Sequence, residues 1–339
     1  MRQPSALAAW KLNTAFVAII GFILVVALNP GFISSLSLSH FEGLNLFKTM
    51  LMSILLEAIP FLLLGVFVSS LIQAFIPESW VRRAIPRNPI LGIGAACLLG
   101  ILFPVCECGM IPVVRRLMAK GMPLYAGVAF ILAGPIVNPV VYAATFAAFR
   151  TRPEMVYARM GLAIAVSAVI GLVVYYFVKH NPLKTSTEGH AAHSHCEHPH
   201  PVRRGNKLDE AMKHAGGEFF DMGKYLIVGS LITACIQAFV PRSELVGIGQ
   251  GEVGSHFFMM GFAYILSLCS TADAFVASSF VSTFSAGSLL TFLVFGPMLD
   301  FKGTLMLLSV FKAKFVLFLS IAVSVAVLAG ALVAGKVYL

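Results

Sequence analysis

The sequence predicts an all-α polytopic membrane protein. It holds two homologous, inverted helical repeats with broken or re-entrant helices, preceded by an extra N-terminal helix. Three observations carry this. Of 339 residues, 58% are hydrophobic and only 12% charged, whereas soluble domains carry about 25% charged residues. Several windows of roughly 20 apolar residues are long enough to cross a bilayer core of about 30 Å as helices. Finally, the chain contains a copy of itself. "LLEAIPFLLLGVFVSSLIQAFIPESWV" (55–81) matches "FFDMGKYLIVGSLITACIQAFVPRSELV" (219–246), so that Gly65 meets Gly229 and the acid Glu57 meets the acid Asp221. Farther on, "LFPVCECG" meets "ILSLCSTA", which places Cys106 on Cys269, and "GPIVNPVV" (134–141) meets "GPMLDFKG" (296–303).

Taken in order, "TAFVAIIGFILVVALNPGFI" is too long for the apolar core of a signal peptide and lacks a small-residue cleavage site, so it reads as a retained helix. Each repeat then holds a first long helix (47–76; 216–240) and an apolar segment running into the cysteine motif (89–105; 254–268). A helix broken at Gly-Pro follows (122–149; 287–308), then a last helix (155–178; 314–335). The expected divisions are 1–44 for the N-terminal helix and loop, 45–179 for the first repeat, 180–214 for a linker and 215–339 for the second repeat. Proline inside a spanning segment frees backbone groups, which are tolerated where they face protein or a water-filled cavity. Paired, interrupted segments in corresponding positions of two halves point to a transporter's substrate site.

Segment 89–105 is short, and "VRRLMAKG" follows it closely. If that stretch and "ESWVRRAIPRN" both lie in the cytoplasm, as basic loops do, the segment between dips in and returns as a re-entrant hairpin. Each repeat then makes an odd number of crossings, and the halves are inverted. "FKAKF" falls inside on this scheme, while "FRTRPE" (149–154), although basic, falls outside.

The net charge of +9 sits in these connectors, so it indicates topology and not nucleic acid. Six scattered cysteines, mostly in apolar segments, do not make a secreted disulfide framework. No G-x-x-x-x-G-K-[ST] motif is present, so this chain does not itself consume ATP.

Ionisable residues inside a span are costly and mark pathways or paired groups. Glu57, Asp221 and Asp300 are the candidates for ion coupling, against the plainer alternative that Asp300, close to Lys302, lies near an interface. Cys106, Glu107 and Cys108 lie together at an expected helix break, and Cys269, Ser270, Thr271 and Asp273 form its counterpart. A free cysteine alone behaves as a small buried hydrophobe, which is the reading for Cys97 and Cys235. Thiols converging from two half-motifs suit a soft ion or metalloid, because soft ligands select soft partners. Asn138, between Pro135 and Pro139, offers an amide at another break. It serves either as a ligand or as the cap of a broken helix.

The linker composition predicts disorder. Within it, "HAAHSHCEHPH" sets His190, His193, His195, Cys196, His198 and His200 close together, a tract that can hold zinc loosely but fits no closed zinc-finger spacing.

The series "CECG…GPIVNP…LCSTADAF…GPMLD" resembles the YraQ/ArsP-type permease family over roughly residues 45–335. The resemblance implies a polytopic permease of the bacterial cytoplasmic membrane, with members that export trivalent organoarsenicals through membrane cysteines. It carries Cys106, Cys108 and Cys269 over as thiol ligands. The expected function is therefore secondary transport of a soft metal or metalloid, with no enzymatic activity, no resident cofactor apart from zinc on the linker, and no nucleic-acid partner. A thiol-based sulfur or redox carrier, or a metal-sensing partner subunit that transports nothing, are the alternatives. A homodimer or a partner subunit is left open.

Overall fold

The computed structural model describes residues 42–75, 77–84, 86, 88–102, 106–178, 182–184, 207–239 and 253–337. The N-terminal helix and the histidine tract lie outside these residues. The first half comprises α1 (Glu42–Phe75), α2 (Glu78–Ala84), α3 (Pro89–Leu102), α4 (Glu107–Ala119), α5 (Leu124–Ala133), α6 (Pro139–Ala148) and α7 (Glu154–Phe177). The second comprises α8 (Lys207–Phe239), α9 (Gly254–Leu266), α10 (Ala272–Ser278), α11 (Ala286–Met298), α12 (Phe301–Val310) and α13 (Ala313–Val337). Most of α1, α7, the 216–238 part of α8, α11 with α12, and α13 are long and apolar enough to cross a membrane.

The α3 and α4 helices, 14 and 13 residues long, reach only roughly 20 Å each, short of a bilayer core. They form the expected hairpin. The Tyr125 hydroxyl at the start of α5 donates to the Pro86 carbonyl ahead of α3, while Gly100 near the end of α3 packs on the Gly134 backbone just past α5. Thus α3 and α5 run parallel and pack directly on each other, and α4 returns antiparallel along α5, Met118 on Gly127 and Met110 on Gly134, with Cys106 at the turn. The α5 and α6 helices then form one broken crossing, because α7 runs back along both. Tyr125 meets Tyr175 near one end, and Thr145 is bonded to Arg159 near the other.

Equivalent helices of the two halves pack on each other, α1 on α8 and α7 on α13, and in each case antiparallel. Ser69, late in α1, bonds Glu218, early in α8, whereas Leu51 and Leu55, early in α1, pack with Ala234, late in α8. Leu162, early in α7, fills the space over Gly330, late in α13. The repeats are inverted. The halves also exchange packing, since α4 lies against α12 and α10 against α6.

One membrane face accordingly collects Arg83, Arg115, Arg116, Lys120, Lys184, Lys312 and Lys314, and the other Lys48, Arg150, Arg152 and Lys336. The richer face is the cytoplasmic one by the positive-inside rule. The end of α7 and the start of α8, which flank the histidine-bearing linker, both belong to it. "FKAKF" is on that face and "FRTRPE" on the opposite one, as the scheme requires. Just beyond α7, Leu183 bridges Phe311 in the connector between α12 and α13.

Candidate functional site

Four interruptions of the helical backbone build the site. At the first, Cys106 has extended backbone (φ −67°, ψ 167°), and its carbonyl accepts from the Gly109 and Met110 amides while its side chain makes no capping bond. The thiol is therefore not used in capping α4. Cys108 is buried at 1% exposure, and its thiol is within hydrogen-bonding reach of Cys106. Glu107 is also buried. Its Oε1 lies 3.5 Å from Lys302 Nζ, and its Oε2 has no partner.

At the second break, Asn138 uses its whole amide locally. Oδ1 accepts from the Val141 amide at 2.9 Å, and Nδ2 donates to the Gly134 and Pro135 carbonyls. With Pro139 at the first helical position, this is a favourable N-cap. The geometry makes Asn138 the cap of a broken helix.

At the third break, Ser267 adopts the left-handed conformation (φ 49°), uncommon for a residue other than glycine. The chain after it carries Cys269, Ser270 and Thr271 into α10. Cys269 Sγ lies 3.0 Å from the Thr271 hydroxyl and accepts from the Ala272 amide, and the Glu57 carboxyl is within hydrogen-bonding reach of the same thiol. Ser270 and Asp273 are buried. Both Asp273 oxygens accept from Arg159 Nη2 at 2.9 Å, which also donates to the Ser270 carbonyl; Nη1 donates to Thr145. Asp273 is thus held by a clamp from the first half.

At the fourth, Asp300 caps α12, its Oδ1 accepting from the Gly303 amide at 2.6 Å while Oδ2 accepts from the Ser267 hydroxyl. Ser267 Oγ in turn accepts from the Lys302 amide, which ties the third break to the fourth. Asn138 and Asp300 are equivalent caps in equivalent positions of the repeat.

The two cysteine motifs face one region. Glu107 stands within electrostatic range of Lys302, Asp300 and Glu57, and Asp273 within range of Glu107. Cys106, Cys269 and Thr271 are partly accessible and Glu57 is exposed. Asp221 is not brought here. Half-exposed, it pairs with Lys224 on its own helix at 3.4 Å, so the acids Glu57 and Asp221, equivalent in sequence, have different surroundings. Cys235 is exposed and not packed, unlike buried Cys97. Among the described residues, no three His, Cys, Asp or Glu side chains are grouped closely enough to hold a metal ion. The zinc expectation for the linker histidines lies outside the described residues.

Sequence reasoning missed Arg159 and Lys302. Each is a lone cation in a spanning window and must find a partner there, which is the signal that could have found them. A separate groove of about 800 Å³, lined by apolar side chains such as Phe257, Met260, Tyr264 and Leu317, opens between α9, α11, α12 and α13 and contains none of the candidate residues.

Residues 43–336 match the ArsP_1 family, described as a predicted permease. The chain is 49% identical over 298 residues to the UPF0718 protein YcgR of Bacillus subtilis (strain 168), covering 87% of this chain and 97% of that protein. It is 38% identical over 266 residues to a putative two-component membrane permease complex subunit of Streptococcus mutans serotype c, covering 78% and 87%. The UPF0718 protein YraQ of Escherichia coli (strain K12) is 32% identical over 80 residues, 22% of each chain. No solved structure matches.

Proposed function

Because the chain belongs to the ArsP_1 family of predicted permeases, we propose that it moves a soft metal or metalloid species by secondary transport through the site at the four backbone breaks. One observation carries this reading: accessible thiols from opposite halves, Cys106 and Cys269, share one electrostatic neighbourhood with Glu107 and Glu57. Sulfur ligands select soft partners, and inverted repeats with discontinuous helices place such sites near the bilayer midplane. Lys302 narrows the class. Paired at 3.5 Å, its ammonium and the Glu107 carboxylate largely cancel each other's field at the neighbouring thiols, so Glu107 is not a free counter-charge for a bare cation. An uncharged, thiol-reactive metalloid species fits better than a bare divalent ion. Glu57, the acid left exposed beside Cys269, is the group suited to ion coupling.

The Streptococcus mutans relative is named as a subunit of a two-component complex, and a second subunit belongs to this proposal too. The second reading, a thiol-based sulfur carrier, is favoured by the mutual reach of Cys106 and Cys108.

The test is flux of a trivalent organoarsenical and, separately, of Zn²⁺ into proteoliposomes. Cys106→Ser and Cys108→Ser should each lower arsenical flux about tenfold or more, since serine keeps the size but not the softness of the ligand. Cys97→Ser and Cys235→Ser should leave it unchanged. Wild-type flux in the Cys106/Cys108 double serine variant would end the soft-substrate reading. A persulfide on either residue, seen by mass spectrometry without flux, would establish the carrier reading instead.

A further inference from the structure

The inverted repeat is broken at one place in a way that bears on access. Where α1, α4 and α8 meet near the cytoplasmic face, Glu218 is buried at 5% exposure. It accepts from the Ser69 hydroxyl at 3.0 Å and from Arg116 Nε at 3.2 Å, with Arg115 Nη1 at 3.9 Å. Beside it, Lys120 Nζ donates to the Ile72 and Gln73 carbonyls at the end of α1, both at 2.8 Å, and the Ser69 hydroxyl also approaches the Pro112 carbonyl of α4. Gly65 packs backbone to backbone on Gly109, which brings α1 and α4 together with no side chain between them.

The repeat lets each of these positions be followed to the opposite face. Glu218 corresponds to Ile54 and Ser69 to Thr233, while Arg115 and Arg116 correspond to Ser278 and Ser279. None reproduces the network. Thr233 has a buried hydroxyl with no partner, and Ser278 and Ser279 turn back to the carbonyls of Phe275 and Val276 in their own segment. The helices α1 and α4 pack extensively, but their equivalents α8 and α10 scarcely touch among the described residues. The accessible groups of the site lie toward this looser side. Glu57 is on the half of α1 away from the Ser69 latch, and it reaches Cys269, which leads into α10.

We propose that the Glu218–Arg116–Arg115–Ser69 network is the cytoplasmic gate of the permease and that the structure is its outward-facing state, closed below the cysteine site and open above it. The proposal rests on the transport reading. The carboxylate of one half holds the guanidinium groups of the hairpin that carries Cys106, so parting α8 from α4 opens the inner side. Among the described residues no equivalent charge pair holds the outer side, and closing it needs the approach of α10 to α8.

The experiment uses full-length protein in which Cys269 is the sole thiol, labelled by a membrane-impermeant methanethiosulfonate from either face of oriented vesicles. Labelling should be fast from the outer face and slow from the inner one. Glu218→Gln should raise the inner-face rate about tenfold, equivalent to about 1.4 kcal/mol of lost closed state. The exchange Glu218→Arg with Arg116→Glu should return it toward the parent value. Equal rates from both faces in the parent protein, or an inner-face rate unmoved by Glu218→Gln, would overturn the proposal. If Glu218→Gln does not fold, Arg116→Gln is read by the same two criteria. Labelling needs no cargo, so face-selective labelling without arsenical flux would count against the substrate and leave the gate standing.

Discussion

At position 159 the chain places a guanidinium with no exposure at all, at the sixth residue of the helix that leaves the outer face. Its contacts with Thr145, Ser270 and Asp273 join α6, α7 and the third break, so it positions the Cys269 segment without reaching the thiol. Removing one partner of a buried ion pair costs about 3–5 kcal/mol, because the other charge is left unpaired. Arg159→Met should therefore reduce detergent-stable protein severely, and Arg159→Met with Asp273→Asn should recover part of it, as read by fluorescence-detected size-exclusion and thermal melting. No recovery in the double variant would mean that the guanidinium acts through something other than Asp273. Arg159 was hard to find from sequence because it follows "FRTRPE" so closely that it reads as one more topology-setting charge. Lys302 was hidden similarly, since its neighbour Asp300 looked like its natural partner. In the fold Asp300 is committed to the Gly303 amide and Ser267, which leaves Lys302 to Glu107. Pairings of this sort are tertiary and leave no periodicity in the chain.

The broken crossings depend on their caps. Asn138 and Asp300 do the same work in inverted halves, each accepting from the amide three residues on. Loss of such a cap costs about 1 kcal/mol, and exchange for another capping side chain much less. Asn138→Ala should lower the melting temperature by a few degrees, whereas Asn138→Asp should be close to neutral in fold, its counterpart already being aspartate. If Asn138→Ala melted with the parent protein while abolishing flux, the amide would be a ligand instead. At this scale much was legible. The Gly-Pro breaks, the re-entrant hairpin of α3 and α4 and the odd number of crossings all follow from segment length and the placement of basic residues. What the periodicity could not give was how far α10 continues. It stops at Ser278, much shorter than α4, and that difference is the source of the loose outer side.

Across the whole molecule, the inverted arrangement explains how a duplicated sequence yields a site with unlike sides. Related positions face each other across the membrane, and small divergences between copies, Glu218 against Ile54 or Lys302 against Val140, become differences between inside and outside. The linker that carries the histidines joins two helix ends on the cytoplasmic face and lies outside both repeats. Deleting residues 190–200 should therefore leave flux largely intact while changing its response to added zinc, measured in the same proteoliposomes. Complete loss of flux with normal expression would place the tract in the pathway.

The exchange of packing between halves also bears on biosynthesis. Glu107 and Arg159 are made and delivered to the bilayer well before their partners Lys302 and Asp273 exist. On insertion scales a lone charge at the centre of a helix costs about 3 kcal/mol, so the first half enters the membrane carrying two debts of that order. Lys302 can reach Glu107 only after about two hundred further residues have been made. Until then α4 has neither its counter-ion nor the α12 surface it packs on. The first half can thus pack α1 on α4 and α5 on α7 as it is made, but its two buried charges stay unpaired until the second half arrives.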